Sequence, residues 1–312
     1  MPKPTPVTAL KIQRLKPNTV GRDFVCGDIH GSYSCVTRAL KELKFDKNND
    51  RFICAGDLVD RGPSNEACLD LIYQPWFYSC MGNHEQLMIE FFNGGYYGQW
   101  WQPNGGGWGT KYAKEQTTMA DFVRRAVKTL TNLPYLITVE KKSGGLFHVL
   151  HAELPPFAPV DNSHRTDCQD GVITDEVMAD PAAFTKLATV QTKDGDMITW
   201  GRYIYYSLYK QLLDDVHLRK FKKAAELQKL GAIFNPALSH IYSGHTIMRA
   251  PVTFMGQTNL DTMAYGSYRY PSKYNDGSPE LWCGLTITEP ETGKFWLVND
   301  AEFKETQPVV IQ

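Results

Sequence analysis

One local pattern recurs along this chain and constrains its fold more than any other feature. A short apolar run ends in a cluster that combines Asp, His or Asn with glycine, and a segment with helical periodicity usually follows. The clusters occupy residues 27–31, 56–62, 82–85, 151–153 and 244–246. Apolar runs that alternate with helical segments are typical of βαβ units, so the pattern predicts an α/β fold with a largely parallel sheet.

The helical segments show their periodicity most clearly after the first cluster. Val36, Ala39, Leu40 and Leu43 lie on one face of a helix. In open α/β sheets, binding sites form beyond the carboxyl ends of the strands. We therefore expect the five polar clusters to converge at one place in the folded protein.

The clusters contain side chains that can bind metal through oxygen or nitrogen, and none of them is a thiolate. They are Asp28, His30, Asp57, Asn83, His151 and His245. This mixture of carboxylate, amide and imidazole suits divalent manganese, with iron or zinc as alternatives. With one bridging carboxylate, for which Asp57 is the natural candidate, these ligands complete two adjacent sites. Two such metal ions can hold a hydroxide that attacks a phosphate ester directly.

Three further residues of the same clusters fit the remaining steps of phosphate ester hydrolysis. His84 follows the candidate ligand Asn83 directly, so it lies near the metals without having to bind them. Asp60 could orient its imidazole, and a His–Asp pair of this kind can protonate a departing alkoxide. Arg61 offers phosphate oxygens a planar guanidinium that is always charged.

Three of the clusters resemble the signature motifs of a known family, the metal-dependent phosphoprotein (serine/threonine) phosphatases. The matching segments read GDIHG, GDLVDRG and GNHE at residues 27–31, 56–62 and 82–85. The neighbouring segments NHEQ and NGGGW are similar to the small phage lambda-type members. The match is dense over roughly residues 22–110 and is reduced to short islands beyond. This resemblance implies a calcineurin-like metallophosphoesterase fold, an α/β/β/α sandwich with the metals at the sheet edge.

The resemblance also implies a role for each matching residue. Asp28, His30 and Asp57 would hold the first metal ion. Asp57, Asn83, His151 and His245 would hold the second. His84, paired with Asp60, would be the general acid, and Arg61 and Arg202 would bind phosphate. One position departs from the family, since many members carry an arginine where this chain has Met81.

We expect residues 1–312 to form a single metallophosphoesterase domain with two additions. A surface loop is predicted near residues 155–170, which are rich in proline and polar residues. A helical insert is predicted near residues 203–235, where apolar residues repeat at helical spacing and the second half is basic. This insert is either a packing helix with a solvated face or a wall of the active site that selects acidic phosphopeptides.

Composition excludes several classes of partner. The 312 residues carry a formal net charge of −1, so no overall positive field attracts nucleic acid or a membrane surface. No apolar stretch is long enough to span a bilayer, and the first residues lack the apolar core of a secretory signal. The seven cysteines show no paired spacing, which favours reduced thiols in the cytoplasm. The expected partner is a phosphorylated protein or peptide.

Other functions are compatible with the same motifs. Dinucleoside polyphosphate hydrolases and cyclic-nucleotide phosphodiesterases use a similar metal centre, and fold alone does not separate them from protein phosphatases. The NHEQ segment favours a protein phosphatase acting on phosphoserine or phosphothreonine, with phosphotyrosine as a further substrate. A metal-bearing scaffold without turnover is the most distant alternative, because such a protein is expected to have lost His84, Asp60 or a ligand.

Overall fold

The computed structural model describes residues 9–154, 173–189, 195–202, 237–254, 256–266 and 283–311. The predicted surface loop near 155–170 and the helical insert near 203–235 lie outside these residues. The described strands, in chain order, are β1 (Ile12–Leu15), β2 (Asp23–Cys26), β3 (Arg51–Cys54), β4 (Phe77–Ser79), β5 (Leu136–Glu140), β6 (Leu146–Val149), β7 (His240–Ser243), β8 (Val252–Phe254), β9 (Gln257–Asn259), β10 (Leu285–Glu289), β11 (Lys294–Val298), β12 (Phe303–Thr306) and β13 (Val309–Ile311).

The helices follow the strands that carry the polar clusters, as their apolar periodicity predicts. The described α-helices are α1 (Tyr33–Glu42), α2 (Asn65–Asp70), α3 (Asn83–Asn93), α4 (Thr118–Leu130), α5 (Asp175–Ala179), α6 (Pro181–Ala188) and α7 (Met197–Trp200). Within the described residues, no helix is long and apolar enough to cross a membrane.

The first sheet has the order β12-β11-β10-β2-β3-β4 and carries the first three polar clusters. Strands β2, β3 and β4 are parallel neighbours, connected through α1 and α2, while β10 pairs with β2 in the antiparallel direction. Since parallel strands end at the same edge, the clusters that follow β2, β3 and β4 meet there.

The second sheet has the order β1-β5-β6-β7-β9-β8-β13 and carries the other two clusters. Strands β6 and β7 are parallel neighbours, so the clusters after them also share one edge. All five apolar runs are strands, but they belong to two mixed sheets, where the pattern alone predicted one largely parallel sheet. The difference arises because β6 and β7 join β1 and β5 in a second layer, and periodicity does not reveal which layer a strand joins.

Three apolar clusters define the layers. Alternate residues of a strand face opposite sides, so Phe24 packs with the helices α1 to α4, whereas Val25 faces the second sheet. Between the sheets, Val25 and Ile53 pack with Ile137 and Phe147. The far side of the second sheet packs against α5 and α6. The layer order is therefore helix, sheet, sheet, helix, which confirms the predicted α/β/β/α sandwich.

Candidate active site

The turns at the end of the first sheet have an uncommon backbone conformation. His30, Asp57, Asp60 and Arg61 all lie in the left-handed region, with φ values of 46°, 50°, 77° and 67°. Residues other than glycine rarely adopt it, at a cost of about 1–3 kcal/mol each, and such residues concentrate at functional sites. These turns direct four of the predicted site residues toward the same edge of the sheet.

Glu85 holds two of these turns in place. Its carboxylate accepts hydrogen bonds from the backbone N–H groups of Asp57 at 2.8 Å, Leu58 at 2.8 Å and Gly82 at 3.1 Å. The bond to Gly82 closes the first turn of α3, so Asn83 and His84 lie at the N-terminal end of that helix. Burial and the nearby Asp57 carboxylate raise the pKa of Glu85 to about 8.

The second sheet adds its two histidines through backbone hydrogen bonds. The N–H of Gly244 donates to the carbonyl of His151 at 2.8 Å, which joins the ends of β6 and β7. The N–H of His245 donates to the Asp28 carboxylate, with both oxygens at 3.0 Å. This contact connects the two sheets at the edge where the polar clusters lie.

Asp57 is the residue at which the two halves of the site meet. Its Oδ2 lies 3.5 Å from Nε2 of His30 and 3.8 Å from Nε2 of His84. Its Oδ1 lies 3.4 Å from Nε2 of His151. Two groups of candidate ligand atoms therefore share this carboxylate, one with His30 and His84, the other with His151 and His245, and the atoms of each group lie within 4.8 Å of one another.

Asn83 and Asp28 lie beside these groups. The Oδ1 atom of Asn83 is 2.9 Å from Nε2 of His151 and 2.9 Å from Nδ1 of His245. Oδ2 of Asp28 is 3.9 Å from Nε2 of His30. The structure thus brings together all six predicted metal ligands, each at most 2% exposed. Their assignment as ligands stays a prediction.

The orientation of the histidine rings fits a cation. His30 and His151 direct Nδ1 to the backbone carbonyls of Val59 and Ala55, at 2.8 and 3.1 Å, so each Nδ1 carries the proton and each Nε2 presents a lone pair to the site. A carbonyl partner on the other nitrogen is characteristic of metal-binding histidines. The Nε2 atom of His245 is buried and has no hydrogen-bond partner among the residues that the structure describes.

The electrostatics of the site also favour bound cations. Burial, then the neighbouring arginines, hold the pKa values of His30 and His245 below the usual range, which keeps both rings neutral. Burial and the carboxylates of Asp261 and Asp57 raise the pKa of Asp28. Burial alone would raise the pKa of Asp57, but the surrounding imidazoles outweigh it and lower that pKa. Divalent cations would offset the crowding of these buried carboxylates, so the donor set fits a metal centre.

The predicted acid and its partner are in direct contact. Nδ1 of His84 lies 2.6 Å from Oδ2 of Asp60, and both residues are fully buried. The Arg61 guanidinium donates to Nε2 of His84 at 2.9 Å and to Nε2 of His30 at 2.7 Å. It also lies over the ring of Tyr265, 5.3 Å from the centroid. Arg61 therefore occupies the space in front of both histidines.

Arg202 lies at the other side of the site. One of its guanidinium nitrogens donates to the backbone carbonyl of His245 at 2.9 Å. The segment before it is attached to α3, because Oε1 of Gln86 accepts from the Thr199 hydroxyl and from the Trp200 indole. Met81, where many family members have arginine, is buried at 3% exposure.

The two described histidines outside the motifs, His148 and His240, have structural partners. His148 lies between the hydroxyl of Thr138 and the carboxylate of Asp175, at 2.9 and 3.0 Å. Its ring thus points away from the site, although His148 is only three residues before His151 in the sequence.

Several site residues were not found by sequence reasoning. Trp101 and Trp108 donate their indole N–H groups to Asp60. The buried Asp261 carboxylate contributes to the raised pKa of Asp28. Burial raises the pKa of Asp261 itself, and the positive charges of Arg61 and Arg202 oppose that rise. Glu85 is part of the GNHE motif, but the sequence does not indicate its role. The segment NGGGW gave a signal for Trp108, whereas nothing in the sequence distinguished Trp101 from an ordinary core tryptophan.

Residues 24–247 match the calcineurin-like phosphoesterase family, and the chain belongs to it. This finding confirms the predicted family and, with it, the class of phosphoester hydrolases. Members of this class use divalent metals, in agreement with the donor set of the site.

Individual relatives are similar over part of the chain. The chain is 32% identical to serine/threonine-protein phosphatase 1 of Salmonella typhimurium over 144 residues, which are 46% of this chain and 64% of that protein. It is 35% identical to serine/threonine-protein phosphatase 2 of the same organism over 42% of this chain and 58% of that protein. A symmetrical bis(5'-nucleosyl)-tetraphosphatase of Dechloromonas aromatica is 38% identical over 23% of this chain and 27% of that protein.

Proposed function

We propose that this protein is a two-metal phosphoprotein phosphatase that hydrolyses phosphoserine and phosphothreonine monoesters. The observation that carries the proposal is the position of Asp57, whose two carboxylate oxygens face two separate groups of ligand atoms. Such a carboxylate is suited to bridge a metal pair.

The residues of the proposed metal centre are those gathered around Asp57. Asp28 and His30 would complete one site, and Asn83, His151 and His245 the other. When bound, two divalent cations supply Lewis-acid activation of water and neutralise charge on the phosphate. Manganese remains the metal that we propose first for this donor set.

The chain itself supplies binding of the phosphate and protonation of the leaving group. Arg61 already projects between His30 and His84, so its guanidinium is placed to hold phosphate oxygens. Asp60 orients His84, whose Nε2 faces the Arg61 guanidinium and the Asp57 carboxylate. A protonated His84 would give its Nε2 proton to the departing serine or threonine oxygen, which is a poor leaving group as an alkoxide.

The choice of substrate class rests on the relatives. The serine/threonine-protein phosphatases match 144 and 132 residues of this chain, whereas the dinucleoside tetraphosphatase matches 74. A phosphoserine substrate is a phosphate monoester, whereas a dinucleoside tetraphosphate is cleaved at a phosphoanhydride bond, so the test must offer both kinds of substrate to the same preparation.

The decisive experiment measures phosphate release from a phosphoserine peptide and the formation of adenine nucleotides from diadenosine tetraphosphate, with manganese added, under identical conditions. We expect the phosphopeptide to be hydrolysed with the higher kcat/KM. Preference for the dinucleotide would replace the proposed substrate class. Tight binding of two manganese ions without turnover of either substrate, or of p-nitrophenyl phosphate, would identify a scaffold instead of an enzyme.

A His84→Asn variant tests the mechanism. It removes the acid without removing a predicted ligand, so metal content and fold should be retained while kcat on the phosphopeptide falls by about 10²–10⁴-fold. The loss should be smaller for p-nitrophenyl phosphate, whose leaving group needs little protonation. Equal losses on the two substrates would contradict the acid role.

A further inference from the structure

The Asp60 carboxylate is held by more than its bond to His84. The indole N–H of Trp101 lies 2.9 Å from Oδ2 and 3.2 Å from Oδ1, and the indole N–H of Trp108 lies 2.7 Å from Oδ1. An indole N–H can only donate, so the direction of both bonds is fixed. With His84 at 2.6 Å from Oδ2, both carboxylate oxygens of Asp60 have donors from the protein.

The two indoles cannot easily turn away from Asp60. Trp101 is fully buried, and its ring packs against Phe91 and against Trp108, with ring centroids 5.1 and 6.0 Å apart. A side chain at Gly106 would lie 2.3 Å from the Trp101 ring. Gly105 has a φ of 113°, and a side chain there would lie 3.0 Å from the backbone nitrogen of Arg61. The glycines thus allow this segment to close directly onto Asp60 and Arg61.

These contacts have a consequence for His84. A carboxylate that could rotate would carry the imidazole with it, and a misplacement of 1 Å can reduce catalysis by about 10²-fold. With two fixed donors, Asp60 has one orientation in which Oδ2 meets Nδ1 of His84. Nε2 then stays directed at the Arg61 guanidinium and the Asp57 carboxylate, beside which the leaving group would lie.

We propose that Trp101 and Trp108 are positioning residues for the general acid, acting through the Asp60 carboxylate. The proposal rests on the proposed function of His84. On this proposal, the aromatic segment 100–108 helps to protonate the leaving group and does not serve in packing alone.

The test compares Trp108→Phe, which keeps an aromatic ring and loses the N–H, with Trp76→Phe, a buried tryptophan that packs against Phe45 and Phe77. For Trp108→Phe we expect kcat on the phosphoserine peptide to fall by about tenfold, a fraction of the full value of general acid catalysis. On p-nitrophenyl phosphate kcat should change less than about twofold, and KM should be unchanged on both. Trp76→Phe should leave the ratio between the two substrates as in the wild type.

A decrease that is equal on both substrates, or one that Trp76→Phe reproduces, would overturn the proposal and leave Trp108 with a packing role. A measurement that does not depend on turnover tests the indole contacts separately from the proposed phosphatase activity. In the metal-loaded protein, the indole N–H resonances of Trp101 and Trp108 should shift in Asp60→Asn, while that of Trp76 stays in place. If those two resonances do not move, the indole contacts themselves are refuted, whatever the enzyme hydrolyses.

Discussion

The two sheets contribute to the site in different ways. On the first sheet, the turn at Asp57–Asp60 is fixed by side chains that belong to the same sheet's connections: Glu85 accepts the backbone N–H of Asp57 at 2.8 Å, and Asn65 accepts that of Asp60 at 2.6 Å. On the second sheet, His245 is positioned by a hydrogen bond from its backbone N–H to the carboxylate of Asp28, which follows a strand of the first sheet. The turn at Asp57 is therefore closed within its own sheet, whereas His245, whose turn is held by Asn259, depends in addition on the packing of one sheet on the other.

This difference explains why the motifs are dense in one region of the chain and sparse in the other. A locally closed turn needs several particular residues in a row, so it leaves a long signature. A histidine that is positioned by contacts from the opposite sheet needs only a strand end and a glycine, as at residues 244–246. Substitutions that act on one half or on both can test this comparison.

The largest effect is expected from Asp57→Asn, because this carboxylate belongs to both halves. We expect both metal ions to be depleted and kcat to fall by at least about 10²–10³-fold, since the charge that holds both cations is lost. Asp28→Asn should deplete one metal more than the other. Metal content of the purified variants, measured by mass spectrometry, distinguishes the two results.

Asp23→Asn serves as the matched control, since Asp23 is the first residue of β2, at the end of the sheet opposite to the site, and pairs with Arg51. Its metal content should equal that of the wild type. Retention of two full equivalents by Asp57→Asn would show that this residue does not bridge.

A smaller effect is expected from the two arginines, one in each half. Arg61 contacts His30 and His84 directly, whereas one guanidinium N–H of Arg202 is already hydrogen-bonded to the His245 carbonyl. Arg61→Ala should therefore lower kcat/KM by about 10²-fold and Arg202→Ala by about tenfold, by loss of donors to the phosphate. Steady-state kinetics on the phosphopeptide decide between them. An equal or larger loss in Arg202→Ala would mean that the second sheet dominates phosphate binding.

The smallest effect concerns the second sheet alone, away from the site. His240 on β7 is bonded to Thr258, and burial, with a contribution from Lys141, lowers its pKa to about 4. The unfolded chain binds a proton near pH 6.5 and the folded protein does not, so stability is lost as pH falls below that value. Between pH 7 and pH 5 the loss from this group is about 2 kcal/mol.

Urea denaturation of the wild type and His240→Gln at the two pH values measures this loss. The variant should lack the His240 contribution, while its activity at pH 7 stays close to that of the wild type. The same pH dependence in both proteins would assign the effect to other groups.

The sequence predicted the strands that carry the clusters and the gathering of all six candidate ligands, because each cluster stands where an apolar run ends. It could not predict the division of the five strands between two sheets, since a buried strand has the same pattern in either layer. The sequence also could not predict the contacts of Trp101 and Trp108 with Asp60. Their partner lies far away in the chain, and a buried tryptophan is usually part of the core.

The left-handed residues at the strand ends have a consequence for how this sequence can change over time. His30, Asp57, Asp60, Arg61 and His245 each keep a side chain where glycine would be accommodated at less cost. Proteins remain only slightly above the stability that they need, so such positions persist only while selection for activity maintains them. In a duplicated gene released from that selection, glycine or asparagine should accumulate at these five positions early.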